Sequence, residues 1–513
     1  MLARVGGFFS SSFRALGKPL TRDRPFLVLY LALSALYLAP VVMLRHLPMQ
    51  DGPAHLALIQ IWRHLDDPGV IQQEYMARGG LPPYVVYYSL LRLLGALTDL
   101  ETANRFILAG YVIALPLSFA YTFTRFGRDM RYGLLAFPFI YNTPFIYGFT
   151  SNVIALPLFV LAIGLTKSYL DRPNWRRELT LTVLIMVLYL SHVLVAAAYA
   201  VSAPILLLSH VHRPLQVLRR GLFGLPAFAL ALWWSQGQTK GTKFEGEHFD
   251  VSQNLREGIA WINDVQLGNW DEYALLAVFA TVLLCAALPS PPLTTPRRHW
   301  TFALAAVAVF ALFFAAPAHT FKPYYHWATN SRLVLPGVFL LLLLPKLPLR
   351  GARLLLLAPA LIVFTLSGFE LYQSFTRYDA TLRHLDRVIE AIPANKRVLP
   401  LVYDQGDGLH RGYPIRHTLL LYQAQKPGYM PEGLVSDNTP IAFRTRRTPG
   451  PFYKRPGDFR YNVHGSYYHY FLAAFPEGRP PPDTLPTAGA NLRLVRRSGR
   501  FAAYENLGPR PAG

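Results

Sequence analysis

Apolar residues in this chain come in long, nearly unbroken blocks, and that feature limits the folds open to it more than any other. Phe26 to Leu44 (FLVLYLALSALYLAPVVML) carries no charge. A helix needs about 20 such residues to cross a bilayer. Blocks long enough to cross, or nearly so where the membrane thins, lie near 25–46, 103–124, 132–148, 150–167, 221–236, 272–289, 300–317, 331–346 and 352–372. With 52% hydrophobic and only 15% charged residues, the chain reads as an α-helical polytopic membrane protein. Backbone amides in lipid must be satisfied within the chain, which leaves helices as the spanning element.

The block 179–208 is longer than one span, and Ser191-His192 near its middle allows a hairpin of two short helices. The distribution of basic residues decides. If 81–97 does not span and 179–208 is a hairpin, the clusters Arg125/Arg128/Arg131, Lys167/Arg172/Arg176/Arg177, Arg213/Arg219/Arg220, Arg297/Arg298 and Lys346/Arg350/Arg353 all fall on one side. Basic loops mark the cytoplasmic face. The expected topology is roughly 11 spans, with the N-terminus inside and the C-terminus outside. The basic N-terminus, 1–24, is then cytoplasmic, 25–372 is the membrane domain with a first external loop at 47–102, and 373–513 is an extracytoplasmic soluble domain with a Pro-rich tail. FTRYDATLRHLDRVIEAI has helical spacing and KRVLPLVYD strand character, so that domain is expected to be α/β. The net charge of +21 is assigned to topology and lipid headgroups, not nucleic acid. The single cysteine, Cys285, excludes an internal disulfide or a Cys-based zinc site.

Directly after the first span the chain reads LPMQDGPAHLALIQIW, 47–62. An acid at the external membrane boundary has two readings. Asp51 could cap the helix that Pro53 opens, or it could act as a general base on a bond at headgroup level. Leu58, Ile61, Trp62 and Leu65 share one helical face, so the helix is expected to lie in the interface, followed by a second at 82–97.

The first helix, the acid at the start of a loop with two interfacial helices, the many spans and the external C-terminal domain resemble the GT-C superfamily of integral-membrane glycosyltransferases. That superfamily includes protein mannosyltransferases and lipid A aminoarabinose transferases. QDGPAHLALIQIW resembles the D-x-P-x-H loop of uncharacterised bacterial relatives, and YGFTSNVIALPLFVLAI their Gly-Phe-x-x-Asn helix start. In place of an acidic partner beside Asp51 the chain has Gly52. The resemblance implies a GT-C-like bundle in the cytoplasmic (inner) membrane of a bacterium. It also implies transfer of a sugar from a polyprenyl-phosphate donor to an extracytoplasmic cell-envelope acceptor.

On this reading Asp51 is the catalytic base. Arg332, with Lys322 and His326, binds the donor phosphate, since a guanidinium fork suits a phosphate leaving group. His55, Asn152 and His192 line the same cavity. Asp51 and His55 could bind a divalent cation, and KFEGEHFD at 243–250 could assist. The rival expectation is a non-enzymatic transporter, flippase or assembly protein for lipid-linked envelope intermediates. Convergence of Asp51, Arg332 and the tip residues on one cavity discriminates between them.

Overall fold

The computed structural model describes residues 23–78, 84–211, 213–239, 243–289, 300–322, 325–435, 439–444, 450–451 and 455–508. Residues 1–22 of the expected cytoplasmic segment 1–24, the Arg297/Arg298 loop and the end of the tail lie outside these residues.

The chain is a helical polytopic membrane protein. Among the described residues seven helices are long and apolar enough to cross a membrane, and three more apolar helices are shorter. The first is α1 (Arg24–Met43), which opens on Asp23, whose side chain accepts the N–H of Phe26. The segment after α1 contributes α2 (Gly52–Arg63) and α3 (Val85–Gly95). At 11 residues α3 reaches only about 16 Å, too short to span. Next comes α4 (Leu100–Arg125), started by Asp99, whose carboxylate accepts the Thr102 N–H at 2.8 Å.

The apolar run 132–148, expected to be a spanning helix, is instead a 3-10 stretch (Met130–Phe139) followed by one short turn (Thr143–Ile146). Pro138 and Pro144 each remove an amide donor that an α-helix would need. The tighter helix packs closely: a Cβ on Gly133 would stand 2.9 Å from the Ala120 nitrogen.

Then follow α5 (Thr150–Asp171), α6 (Trp175–Ser191) and α7 (Val193–His210). The break between α6 and α7 is His192, whose backbone is extended at φ −162° and ψ 114°. Beyond them lie α8 (Leu225–Thr239), α9 (Val251–Asn263), α10 (Trp270–Ala287), α11 (Thr301–Ala315) and α12 (Val334–Leu342).

The last helix, α13 (Ala358–Glu390), has 33 residues and is about 50 Å long, some 20 Å more than a bilayer core requires. The expected domain boundary at 372/373 falls inside this continuous helix, not in a linker. Its outer end packs on a four-stranded mixed sheet in the order β4 (Val398–Val402), β6 (Tyr470–Ala474), β8 (Phe501–Asn506), β7 (Leu492–Ser498). The β4–β6 pair is parallel and the others are antiparallel.

The segment between α1 and α4 is built into this domain. Its strand β1 (Tyr75–Ala77) pairs antiparallel with β5 (Ile441–Phe443). Beside that pair the buried Glu74 takes Arg397 at 2.9 Å and the Tyr467 hydroxyl at 2.6 Å. The short helix Leu421–Gln425 packs over α2. Residues 52–59 and Ile61 are buried on more than one helical face, so α2 is enclosed by protein along most of its length, while Gln60, Arg63 and His64 are part-buried and Asp67 is exposed.

Candidate active site

The two sequence motifs meet in space. The Asp51 N–H donates to the Tyr147 carbonyl at 3.2 Å, and the Gln50 N–H to that of Ile146 at 2.8 Å. Gly148 sits at φ +78°, and a Cβ there would stand 2.6 Å from the Asp51 nitrogen and 2.8 Å from that of Gly52. Only glycine permits this approach without displacing backbone.

Asp51 occupies the position before α2 but its side chain caps nothing, and its backbone is helical at φ −91°, ψ −3° rather than extended as a cap's would be. The carboxylate is buried. Oδ1 accepts from Gln50 Nε2 at 3.1 Å and faces His417 Nε2 at 3.6 Å. Burial raises its pKa above the ordinary carboxylate value, and His55, Gln50, Arg332 and Arg416 pull it part of the way back. That is the environment of a base poised to take a proton.

Two arginines and one acid thus share the corner. Burial lowers His417 to about 3 and His55 to about 4, so both imidazoles are neutral near pH 7 and leave the excess charge positive.

The second half of the site surrounds Arg332, at the start of the 3-10 turn that leads into α12. Its Nη1 lies 3.1 Å from His326 Nε2 and 3.3 Å from His192 Nε2, and Nη2 donates to the Trp327 carbonyl at 3.1 Å. The guanidinium lies 3.9 Å above the Phe149 ring, while Nε is buried with no acceptor. Burial and Arg332 hold His326 well below its usual pKa, so it is neutral. His192 Nδ1 accepts from the Val195 N–H and from Asn152 Nδ2, both at 3.4 Å, which leaves the proton on Nε2. Nε2–H then stands beside a guanidinium N–H, two donors side by side, an arrangement that suits a shared anionic oxygen. Asn152 also keeps a buried Oδ1 without a donor.

Four expected residues, Arg332, His326, His192 and Asn152, therefore form one chain of contacts, with Asp51 within electrostatic reach of Arg332. Lys322 does not join them: it lies exposed on β3 (His319–Lys322) and pairs with Glu245 at 2.6 Å. His55 does not fit a cation ligand. Nε2 donates to the Gly148 carbonyl at 3.0 Å and Nδ1 accepts from the Tyr88 hydroxyl at 2.8 Å, which commits both nitrogens. In the 243–250 segment Asp250 is used as a helix cap in a capping box with Gln253.

Sequence reasoning missed Tyr84, Arg416 and His417. Tyr84 holds a left-handed backbone at φ 82°, with its hydroxyl 3.2 Å from His326 Nε2 and its ring 5.0 Å from that of His192. Such a conformation costs a non-glycine residue about 1–3 kcal/mol and is found where surroundings enforce it. Arg416 is aimed by Gln405, which accepts from its Nε at 2.7 Å, and by the Tyr413 ring 4.0 Å below.

No family model and no curated protein sequence matches the chain. Its fold does match solved structures over nearly its whole length. ArnT from Cupriavidus metallidurans in the apo state aligns with a TM-score of 0.53 at 12% identity, covering 95% of this chain and 99% of ArnT. The same protein bound to undecaprenyl phosphate aligns at 0.52 and 13% identity, covering 96% and 100%. The arabinofuranosyltransferase AftD from Mycobacteria gives 0.49 at 15% identity, covering 96% of this chain and 40% of its own.

Proposed function

The chain has the fold of ArnT, a GT-C membrane glycosyltransferase, and from that premise we propose that it transfers a sugar from a polyprenyl-phosphate donor to an acceptor on the outer side of the inner membrane of a bacterium. In this reading roughly 11 segments cross, the seven long helices together with α6, α11, α12 and the run 132–148, while α3 does not, with the N-terminus inside. Its N-terminal basic segment, 1–24, lies in the cytoplasm, 25–372 is the catalytic membrane domain, and the part after 373 is the external domain that closes over the first loop. The undecaprenyl phosphate seen in ArnT supports the donor class.

Asp51 takes the proton of the acceptor hydroxyl as the oxygen attacks the anomeric carbon. The new C–O bond forms on the face opposite the bond to phosphate, the configuration inverts, and the electron pair of the broken bond leaves on a phosphate oxygen. One carboxylate suffices. Arg332, oriented by Phe149, Trp327 and His326 and flanked by the His192 Nε2–H, receives the charge that develops on the leaving group. Arg416 keeps the corner cationic after Asp51 has taken up its proton.

The observation that carries this reading is a buried, uncapped carboxylate set against Arg332 and Arg416 beneath an external domain. The gathering of Arg332, His326, His192 and Asn152 near Asp51 favours a transferase over a flippase or assembly protein, which needs no base beside a phosphate site. Mass spectrometry of polyprenyl-phosphate sugars and envelope glycans in cells with and without the protein tests it. Loss of one glycan substituent with accumulation of one lipid-linked sugar is expected. Unchanged glycans and donors would refute transfer.

A further inference from the structure

Outside the site described above, α9 and α10 are joined by the loop 264–269, and the two ends of this turn bring three carboxylates together. One ligand oxygen each from Asp264, Asp271 and Glu272 lies within 4.8 Å of the other two. Ligand oxygens at 2.3–2.6 Å from a calcium ion stand at most about 5 Å apart, so the three fit around one ion.

Asp271 is only 2% exposed, and its two oxygens do different things. Oδ2 accepts the Val265 and Gln266 N–H groups at 2.7 and 2.9 Å, which fixes the loop. Oδ1 is buried with no donor, and so is Glu272 Oε2. Two acceptor oxygens without donors, next to a third carboxylate, are a costly arrangement that a bound cation, or a proton shared between Asp271 and Glu272, would relieve. Among the described residues Arg411 pairs with the cluster, its Nε meeting Asp264 Oδ1 at 2.9 Å. Three carboxyl groups against one guanidinium favour a further cation.

We propose that Asp264, Asp271 and Glu272 bind a divalent cation of the calcium class. The donors are all oxygen, with no imidazole or thiolate among them, which selects a hard ion over zinc or copper. The ion would act as a clamp. Segment 265–267 is hydrogen-bonded to the C-terminal domain, with Leu267 N–H on the Leu409 carbonyl at 3.1 Å and Arg411 N–H on the Val265 carbonyl at 2.9 Å. A few residues further on, the same strip of chain delivers Arg416 and His417 to Asp51. Cation binding thus tightens the closure of the external domain over the membrane domain. The proposal is independent of the reaction assigned to Asp51.

The test uses the full-length protein, purified in detergent and washed with chelator. Terbium ion should luminesce on tryptophan excitation, since Trp270 adjoins two of the ligands, and calcium should quench that signal by competition and raise the melting temperature. Glu272→Gln and Asp264→Asn should each weaken terbium and calcium binding by about 10-fold or more. Glu245→Gln, in the exposed pair with Lys322, should leave binding at the parental level. If one of the two ligand variants fails to fold, the other decides. Parental affinity in the folded variants, or no luminescence and no thermal response in the parental protein, would overturn the proposal whatever the outcome of the glycan assay.

Discussion

Gly148 and Asp51 touch through their backbones: the Cβ that any other residue would place at 148 falls 2.6 Å from the Asp51 nitrogen, at a φ of +78°. Conformation and contact therefore both oppose a side chain. The left-handed backbone alone costs about 1–2 kcal/mol for a non-glycine residue, and forcing a methyl into packed backbone typically costs about 1–3 kcal/mol more. Gly148→Ala should lower the melting temperature and cut transfer more than 10-fold by moving Asp51 away from Arg332 (about 1.4 kcal/mol per factor of ten). A thermal melt and a transfer assay on the same preparation check it, and parental values in both would show that the contact is loose.

For Arg332 the prediction turns on shape as much as charge. Its Nη1 and Nη2 are held at 3.1 Å by His326 and the Trp327 carbonyl, and the buried Nε has no acceptor. Arg332→Ala should abolish transfer and Arg332→Lys should keep a small fraction, because lysine supplies a point charge without the planar fork. The loss should appear mainly in kcat, as expected for an interaction that strengthens as the phosphate leaves. Equal, parental rates in both variants would reduce Arg332 to an anchor.

The two histidines at the Asp51 corner set a pH dependence of stability. Burial depresses His55 to about 4 and His417 to about 3, whereas in the unfolded chain each titrates near the usual value of about 6.5. Below that unfolded value the unfolded state binds more protons than the folded one, so stability is full above about pH 6.5 and falls as pH drops toward 4. His417→Gln should shrink the acid-side slope of the melting temperature by the share of one titrating group. An unchanged slope would mean that His417 is already solvated.

Topology is open to labelling. Arg172 and Glu247 are both exposed, as is Arg493 on β7. A cysteine at 172 should react with a membrane-impermeant reagent only after permeabilisation, while cysteines at 247 and 493 should react in intact spheroplasts. The native thiol, Cys285, is buried and should stay silent. Labelling at 172 but not at 247 would invert the arrangement.

How much of this the sequence disclosed depended on how local the cause was. Charge-free blocks marked α1, α4, α5 and α10 to within a few residues, because the length a bilayer demands is written directly in the chain. Ser191-His192 showed the break between α6 and α7 because polar groups rarely interrupt an apolar block. The run 132–148 misled, since hydropathy cannot tell an α-helix from a 3-10 stretch, and only Pro138 and Pro144 hinted at the difference. Of the candidate site residues, Asp51, Arg332, His326, His192 and Asn152 could be picked out as polar residues at or near the ends of apolar blocks. Arg416 and His417 could not: they lie in GYPIRHT, a stretch without periodicity, and reach Asp51 only because the domain that carries them folds back over α2. The burial of Asp51 has the same distant cause. Lys322 was grouped with Arg332 by nearness in sequence alone, and the antiparallel pairing of β3 with the distant β2 (Glu245–Glu247) sets it beside Glu245 instead.

The central claim is that Asp51 is kept ionised against its surroundings in order to accept a proton, and Asp51→Asn tests it most directly. Burial raises the carboxyl pKa, so the folded state holds its proton more tightly than the unfolded one, and keeping the group charged at neutral pH costs stability. Asparagine retains the shape and removes that cost, and the side chain has no capping bond to lose. The variant should melt at or above the parental temperature, still bind the polyprenyl-phosphate donor, and transfer sugar about 100-fold to 10,000-fold more slowly. An asparagine variant that transfers at the parental rate, or one that is destabilised, would contradict the account.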